Sequence, residues 1–97
     1  MPVTEARCQV EILTPEGLHL RLAAHLARLA SRFRSEIRVH RRDDVVDGKS
    51  VLDLLTLAAG CGTQLDLEVR GTDAEEAIAA LTELLDAWSL NVVDDRG

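Results

Sequence analysis

Three stretches of this chain alternate apolar and polar residues with a period of two, and none of them is apolar on both sides. In RCQVEIL, Arg7 to Leu13, the residues Cys8, Val10 and Ile12 share one face, and Arg7, Gln9 and Glu11 share the other. EIRVH, Glu36 to His40, turns Ile37 and Val39 inward. TQLDLEVR sets Leu65, Leu67 and Val69 against Gln64, Asp66, Glu68 and Arg70. Successive side chains of a strand point to opposite faces, so each stretch can bury one face only. A parallel sheet covered on both sides would need near-continuous apolar runs. The pattern therefore calls for a mostly antiparallel sheet with one face covered and the other wet.

The cover has to come from segments with helical spacing. Leu22, Leu26, Leu29 and Phe33 recur every three to four residues, Ala23 and Ala30 widen the stripe, and His25, Arg28 and Arg32 take the polar side. GKSVLDLLTLAA puts Val51, Leu52 and Leu55, with Ala58 and Ala59 at its end, on one side of a short helix that closes near Gly60. Ser50 is its expected N-cap, with an oxygen free to accept an orphan backbone N–H. In the last helix Thr72 and Glu75 have capping-box spacing, and Ala74, Ala77, Ile78, Leu81, Leu85 and Trp88 form the apolar stripe. RRDD reads as a charged turn leading to Val45–Val46, the return strand of a hairpin.

The order is then β-α-β-β-α-β-α, an α+β arrangement in which three helices cover one face of a four-stranded sheet. No linker or repeat interrupts it, so residues 1–97 read as a single domain with a core over about 3–88 and frayed ends at Pro2 and VVDDRG. With Phe33 and Trp88 as the only aromatic residues, the core must be built from Leu, Val, Ile and Ala.

A formal net charge of −6 argues against nucleic acid, whose binding rests on neutralising phosphates with Lys and Arg. The near-absence of aromatics also removes the usual platform for stacking bases. Cys8 and Cys61 form neither a metal-ligand spacing nor a disulfide framework and read as free thiols. No apolar leader and no run of membrane-spanning length is present, so the cytoplasm is the expected compartment.

One short stretch remains unexplained by packing. GLHLRLAA, Gly17 to Ala24, sets a histidine and an arginine two residues apart at the mouth of the first helix. The first backbone N–H groups of a helix have no internal partners, and the dipole is positive there, so that end suits an anion. A neutral imidazole fits it better than a cation and can act as a nucleophile. Once phosphorylated, its new negative charge would meet the free amides and the planar donor fork of Arg21. Imidazole is also a good leaving group, so the pair reads as a reversible covalent carrier. The bland reading is a solvated or capping histidine, and spacing alone does not decide between them. His25 and His40 read as solvated.

Two motifs now point the same way. GLHLRLAA resembles the GLH-x-RPAA active-site signature of the HPr family, the histidine-containing phosphocarriers of the bacterial sugar phosphotransferase system. GKSVLDLLTLAA resembles the second signature of that family, and the element order resembles its open-faced β-sandwich. The resemblance covers roughly Val3 to Trp88. It implies that His19 is the phosphorylated residue, that Gly17, Leu20 and Arg21 hold the phosphate, and that Ser50 is a control site for an HPr serine kinase/phosphorylase. It implies Enzyme I as the donor and IIA-type proteins as acceptors, with no metal or organic cofactor and no turnover of its own. Leu20 and any exposed members of the set Val51, Leu52 and Leu55 would form the docking patch of a monomer. Two departures stand out: the family usually has threonine or alanine in place of Leu20, and a nearly fixed proline in place of Leu22. A proline there presets the first helical turn. Those departures leave room for an alternative, a regulatory protein-binding module that keeps the fold without efficient transfer.

Overall fold

A computed structural model of the protein describes residues 3–90, so the frayed ends expected at Pro2 and VVDDRG lie outside the described residues. Seven elements follow in the expected order. They are β1 (Thr4–Glu11), α1 (Leu20–Ala30), β2 (Glu36–Arg41), β3 (Asp44–Asp47), α2 (Val51–Thr56), β4 (Gln64–Gly71) and α3 (Ala74–Leu90). The sheet order is β1-β4-β2-β3, and every pairing is antiparallel. The hydrophobic alternation sets the register. Cys8 faces Leu67, Val10 faces Leu65 and Ile37 faces Val69, so the apolar side chains of three strands share one surface. A slip of one residue would turn all of them into water.

The helices bury that surface. Ile37, Val39, Leu65, Leu67 and Val69 are buried beneath Leu22, Leu26, Leu54, Ala77 and Leu81. Several boundaries and faces differ from the sequence reading. β1 begins at Thr4 and ends at Glu11, because Ile12 leaves the ladder to exchange backbone hydrogen bonds with the Gly62–Thr63 loop. α1 stops at Ala30, so Phe33 packs on the core from the following loop rather than from the helix. The inward residue of α2 is Leu54, with Val51 and Leu55 half-buried on its flanks, while Leu52 points outward at 75% exposure. The reason is the 3.6-residue turn: Leu52 lies two positions from Leu54, on the opposite side. α2 also ends earlier than Gly60. Ala58 takes the left-handed conformation at φ 50° that terminates it, and Leu57 and Ala59 drop into the core. α3 is capped by Asp73, one residue later than the Thr72 expected. The Asp73 carbonyl accepts from the Ala77 N–H, and its carboxylate receives the Arg34 and Ser35 amides of the α1–β2 loop.

The wet face of the sheet carries a charge network. His40, expected to be solvated, is half-buried, with its Nε2 2.7 Å from Glu68 Oε1. Arg7 lies 3.3 Å from the other Glu68 oxygen. The hydrogen bond from His40, with help from Arg7 and Arg38, holds the Glu68 carboxyl below the usual glutamate range. A carboxylate lowered on folding stabilises the fold above its unfolded value, and that stabilisation is lost as pH falls through the folded midpoint. Glu68→Gln is therefore expected to be less stable than the parent at neutral pH, with the difference closing as the solution is acidified below the ordinary glutamate range. Urea midpoints measured from pH 7 to pH 3 check this, and a pH-independent difference would refute it.

Candidate functional site

His19 sits immediately before α1 in extended backbone, φ −86° and ψ 180°, as the N-cap. That position is normally filled by Ser, Thr, Asp or Asn, whose short side chain accepts an orphan amide. Here imidazole takes the part: Nδ1 accepts from the Arg21 N–H at 3.2 Å. An accepting Nδ1 carries a lone pair, so the neutral ring holds its proton on Nε2. Nε2 is buried without a hydrogen-bond partner, although Glu16 Oε1 lies 3.4 Å away. The whole side chain is 23% exposed. The Nδ1 lone pair thus faces the helix end. There, among the described residues, the Leu20 and Leu22 amides have no backbone partner.

The loop that delivers His19 is stitched to the segment after α2. Gly17 donates to Thr14, and Leu18 donates to the Ala59 carbonyl at 2.8 Å. Leu18 is itself buried, so the loop is pinned immediately before the histidine by both a side chain and a backbone bond. Gly17 adopts φ +73°, and a Cβ there would come within 2.6 Å of the Ala59 oxygen and 2.9 Å of the Gly60 Cα. Only glycine satisfies both the conformation and the space.

Electrostatics separate this helix end from the other two. α2 carries Asp53 in its first turn and α3 carries Glu75 and Glu76, as helices generally favour. α1 carries no acid there and has Arg21 instead. The nearby carboxylate at this end, Glu16, comes from the preceding loop and lies against His19 Nε2 rather than in the turn.

The other singled-out residues fall in two groups. Leu20 is 62% exposed at the start of α1, and the exposed Leu52 stands on α2, which packs beside α1. Leu22, by contrast, is buried beneath the site. Ser50 caps α2 as expected, its hydroxyl accepting the Asp53 N–H at 3.2 Å. Among the described residues no hydrogen bond or ion pair joins Ser50 to His19. Cys8 and Cys61 are free thiols. No group of three or more His, Cys, Asp or Glu side chains is placed to hold a metal among the described residues, and no helix there is long and apolar enough to cross a membrane.

Two contributors escaped the sequence reading. Glu16, in the TPEG segment between the first strand and the first helix, carries no motif that marks it, yet its carboxylate lies 3.4 Å from His19 Nε2. Trp88 was assigned to the apolar stripe of α3, yet its ring centroid lies 5.4 Å from that of His19 and 5.6 Å from that of His25. His25 is exposed as expected, but it packs edge-on against this indole rather than standing free in solvent.

The chain matches the family described as "PTS HPr component phosphorylation site" over residues 6–87. It is 42% identical over 79 residues to the phosphocarrier protein HPr of Neisseria meningitidis serogroup A, covering 81% of this chain and 89% of that one. It is 40% identical over 85 residues to the phosphocarrier protein NPr of Shewanella violacea, covering 88% of this chain and 93% of that one. The crystal structure of HPr-C-His from Thermoanaerobacter tengcongensis superposes with a TM-score of 0.83 at 34% identity, covering 87% of this chain and 94% of that one.

The loop geometry yields a direct check. Gly17→Ala should lower stability by about 2 kcal/mol or more, because it combines a strained φ with a backbone collision. Gly60→Ala, whose Cβ would meet open space, should change it by less than about 0.5 kcal/mol. Thermal or urea unfolding of the two variants distinguishes the expectation from a loop that simply shifts.

Proposed function

This chain belongs to the HPr family of the bacterial phosphotransferase system, and on that premise we propose that it carries a phosphoryl group on His19 from Enzyme I to IIA-type acceptors. The observation that carries the reading is the first turn of α1. A histidine cap aims its lone pair at amides that have no other use, beside an arginine where helices favour an acid.

The step follows from the atoms present. The Nδ1 lone pair attacks phosphorus, an N–P bond forms, and the bond between phosphorus and the donor atom breaks with its electron pair leaving on the donor. The Nδ1 acceptor site is consumed, so the Arg21 N–H is released to a phosphoryl oxygen. The Leu20 and Leu22 amides and the Arg21 guanidinium supply further donors. Nε2 keeps its proton, and the Glu16 carboxylate 3.4 Å away offsets the positive charge that the ring acquires. Because imidazole leaves readily, the same path in reverse delivers the group to an acceptor. The protein is a substrate of phosphotransferases rather than an enzyme with its own turnover, and it needs no cofactor.

Partners are expected to dock on the exposed Leu20 and Leu52, with half-buried Val51 and Leu55 at the edge of the patch. A monomer in the cytoplasm, folded as one domain and indifferent to nucleic acid, fits this role. Ser50 is a control site in this reading, modified by an HPr serine kinase/phosphorylase. Its phosphate would add roughly two negative charges to a first turn that already holds Asp53, and would act by repelling acidic partner surfaces. The competing reading, a regulatory docking module, is favoured by the exposed apolar side chains Leu20 and Leu52 and by the leucines at positions 20 and 22 of the signature.

One experiment separates them. Incubation with Enzyme I and labelled phosphoenolpyruvate should give one acid-labile, base-stable phosphoryl group per chain. It should be absent in His19→Ala and formed roughly tenfold to a hundredfold more slowly in Arg21→Ala. An unlabelled parent protein would leave only the docking module.

Leu52→Asp adds a test of the patch. It should raise the apparent KM of transfer by about tenfold while leaving the unfolding midpoint within about 2 °C. A loss of folding would show that Leu52 belongs to the core.

A further inference from the structure

The indole of Trp88 makes three contacts that core packing does not require. Its ring lies 5.4 Å from the His19 imidazole at 57°, and 5.6 Å from His25 in an edge-on arrangement. The Arg21 guanidinium carbon stands 5.8 Å from the indole centroid, within the range of a cation–π attraction. Trp88 is only half-buried, near the end of α3 and far along the chain from the phosphate loop. A helix end that served the core alone would have been satisfied by leucine, which this chain uses freely at Leu81 and Leu85.

We propose that Trp88 is a positioning residue of the His19 site: its ring fixes the plane of the imidazole and holds Arg21 beside the nitrogen that takes the phosphoryl group. The proposal rests on the carrier reading of His19. The N-cap bond to Nδ1 is long at 3.2 Å and does not by itself hold the ring plane. An aromatic neighbour on one side restricts that rotation. The flexible Arg21 side chain, exposed at the start of α1, would otherwise sample many rotamers. Parked on the indole, it stays one short movement from His19. When phosphoryl oxygens arrive, their charge-assisted hydrogen bonds outweigh a partly solvated cation–π contact, and the guanidinium transfers from ring to phosphate. The indole leaves the chemistry itself untouched and acts through the two residues that perform it.

The test compares Trp88→Leu, which keeps apolar bulk and removes the π face, with Trp88→Phe, which keeps a ring. Enzyme I with phosphoenolpyruvate is the donor. Trp88→Leu should lower kcat for phosphorylation about tenfold with KM within about twofold, and Trp88→Phe should recover most of the rate. In the unphosphorylated protein, the ¹⁵N shifts of His19 should move from a single tautomer in the parent toward a mixture in Trp88→Leu. Adding Trp88→Leu to Arg21→Ala should slow transfer less than it slows the parent, since the two residues act together. Because Trp88 is the chain's only tryptophan, its emission should also change when the parent is phosphorylated and stay constant in His19→Ala. Equal rates for the parent and Trp88→Leu, equal impairment of Leu and Phe variants, or unchanged emission would each overturn the proposal. A parent that takes no phosphoryl group overturns the carrier reading instead, and the ¹⁵N comparison still tests the ring contact.

Discussion

The hydrogen bond from the Leu18 amide to the Ala59 carbonyl joins the two loops on which everything at this end of the molecule depends. It ties the segment before α1 to the segment after α2, and Gly17 makes the approach possible by having no Cβ to collide with that carbonyl. The next residue along is His19. Its position is therefore fixed by backbone geometry several residues wide rather than by the histidine's own contacts, which are few. The same pair of loops continues into the sheet, where Ile12 trades hydrogen bonds with Gly62 and Thr63. A shift anywhere in this seam would be felt at the imidazole.

The two faces of the molecule treat charge in opposite ways. On the wet face of the sheet, Glu68 is met by His40 and Arg7, and local pairs such as Arg38 with Glu36 add to the balance. Such a surface is compensated and inert. At the first turn of α1 the balance differs: the turn itself holds no acid, an arginine stands in it, the Leu20 and Leu22 amides have no backbone partner among the described residues, and the nearby carboxylate, Glu16, lies beside the His19 ring. The net charge of the chain is −6, so this local positive end is set in an otherwise acidic molecule. A phosphoryl group is the kind of ligand that would complete it, and under the proposed carrier role its transient presence would account for a site left incomplete in the resting protein.

Much of this was readable from residue order. Period-two alternation identified the faces of all the long strands, because a half-covered antiparallel sheet leaves that signature directly. Two motifs pointed to His19, Arg21 and Ser50, and the structure puts His19 and Ser50 at helix caps. What escaped were features set by tertiary geometry. In α2, six residues are too few for a helical stripe to declare itself, so the spacing grouped Val51, Leu52 and Leu55 on one side and did not say which of them faces water; the structure leaves Leu52 exposed and turns Leu54 inward. His40 looked solvated because its partner Glu68 is 28 residues away in sequence. Trp88 packs on the core from its stripe position on α3, as its spacing indicates, but its contact with His19 was not legible, because the approach of that helix end to the start of α1 is a property of the assembled fold.

The leucine at position 22 shows how the chain anchors the loop that carries His19 without the proline that its family usually has there. Proline would preset φ and remove one amide. Leu22 instead drives its side chain into the core, where it is 1% exposed. Burial of a leucine contributes roughly 2 kcal/mol, more than the roughly 0.4–1 kcal/mol that a well-placed proline gains by restricting the unfolded chain. The first turn is thus anchored from below rather than stiffened from within. Two consequences follow from the substitution. The Leu22 N–H survives as an extra donor toward an anion, and the loop depends on packing from Leu18, Leu22 and the Ala59 carbonyl for its stiffness. An anchor made of packing leaves the imidazole ring itself less constrained than a proline-preset turn would, which gives physical reason for a large aromatic side chain to stand against it.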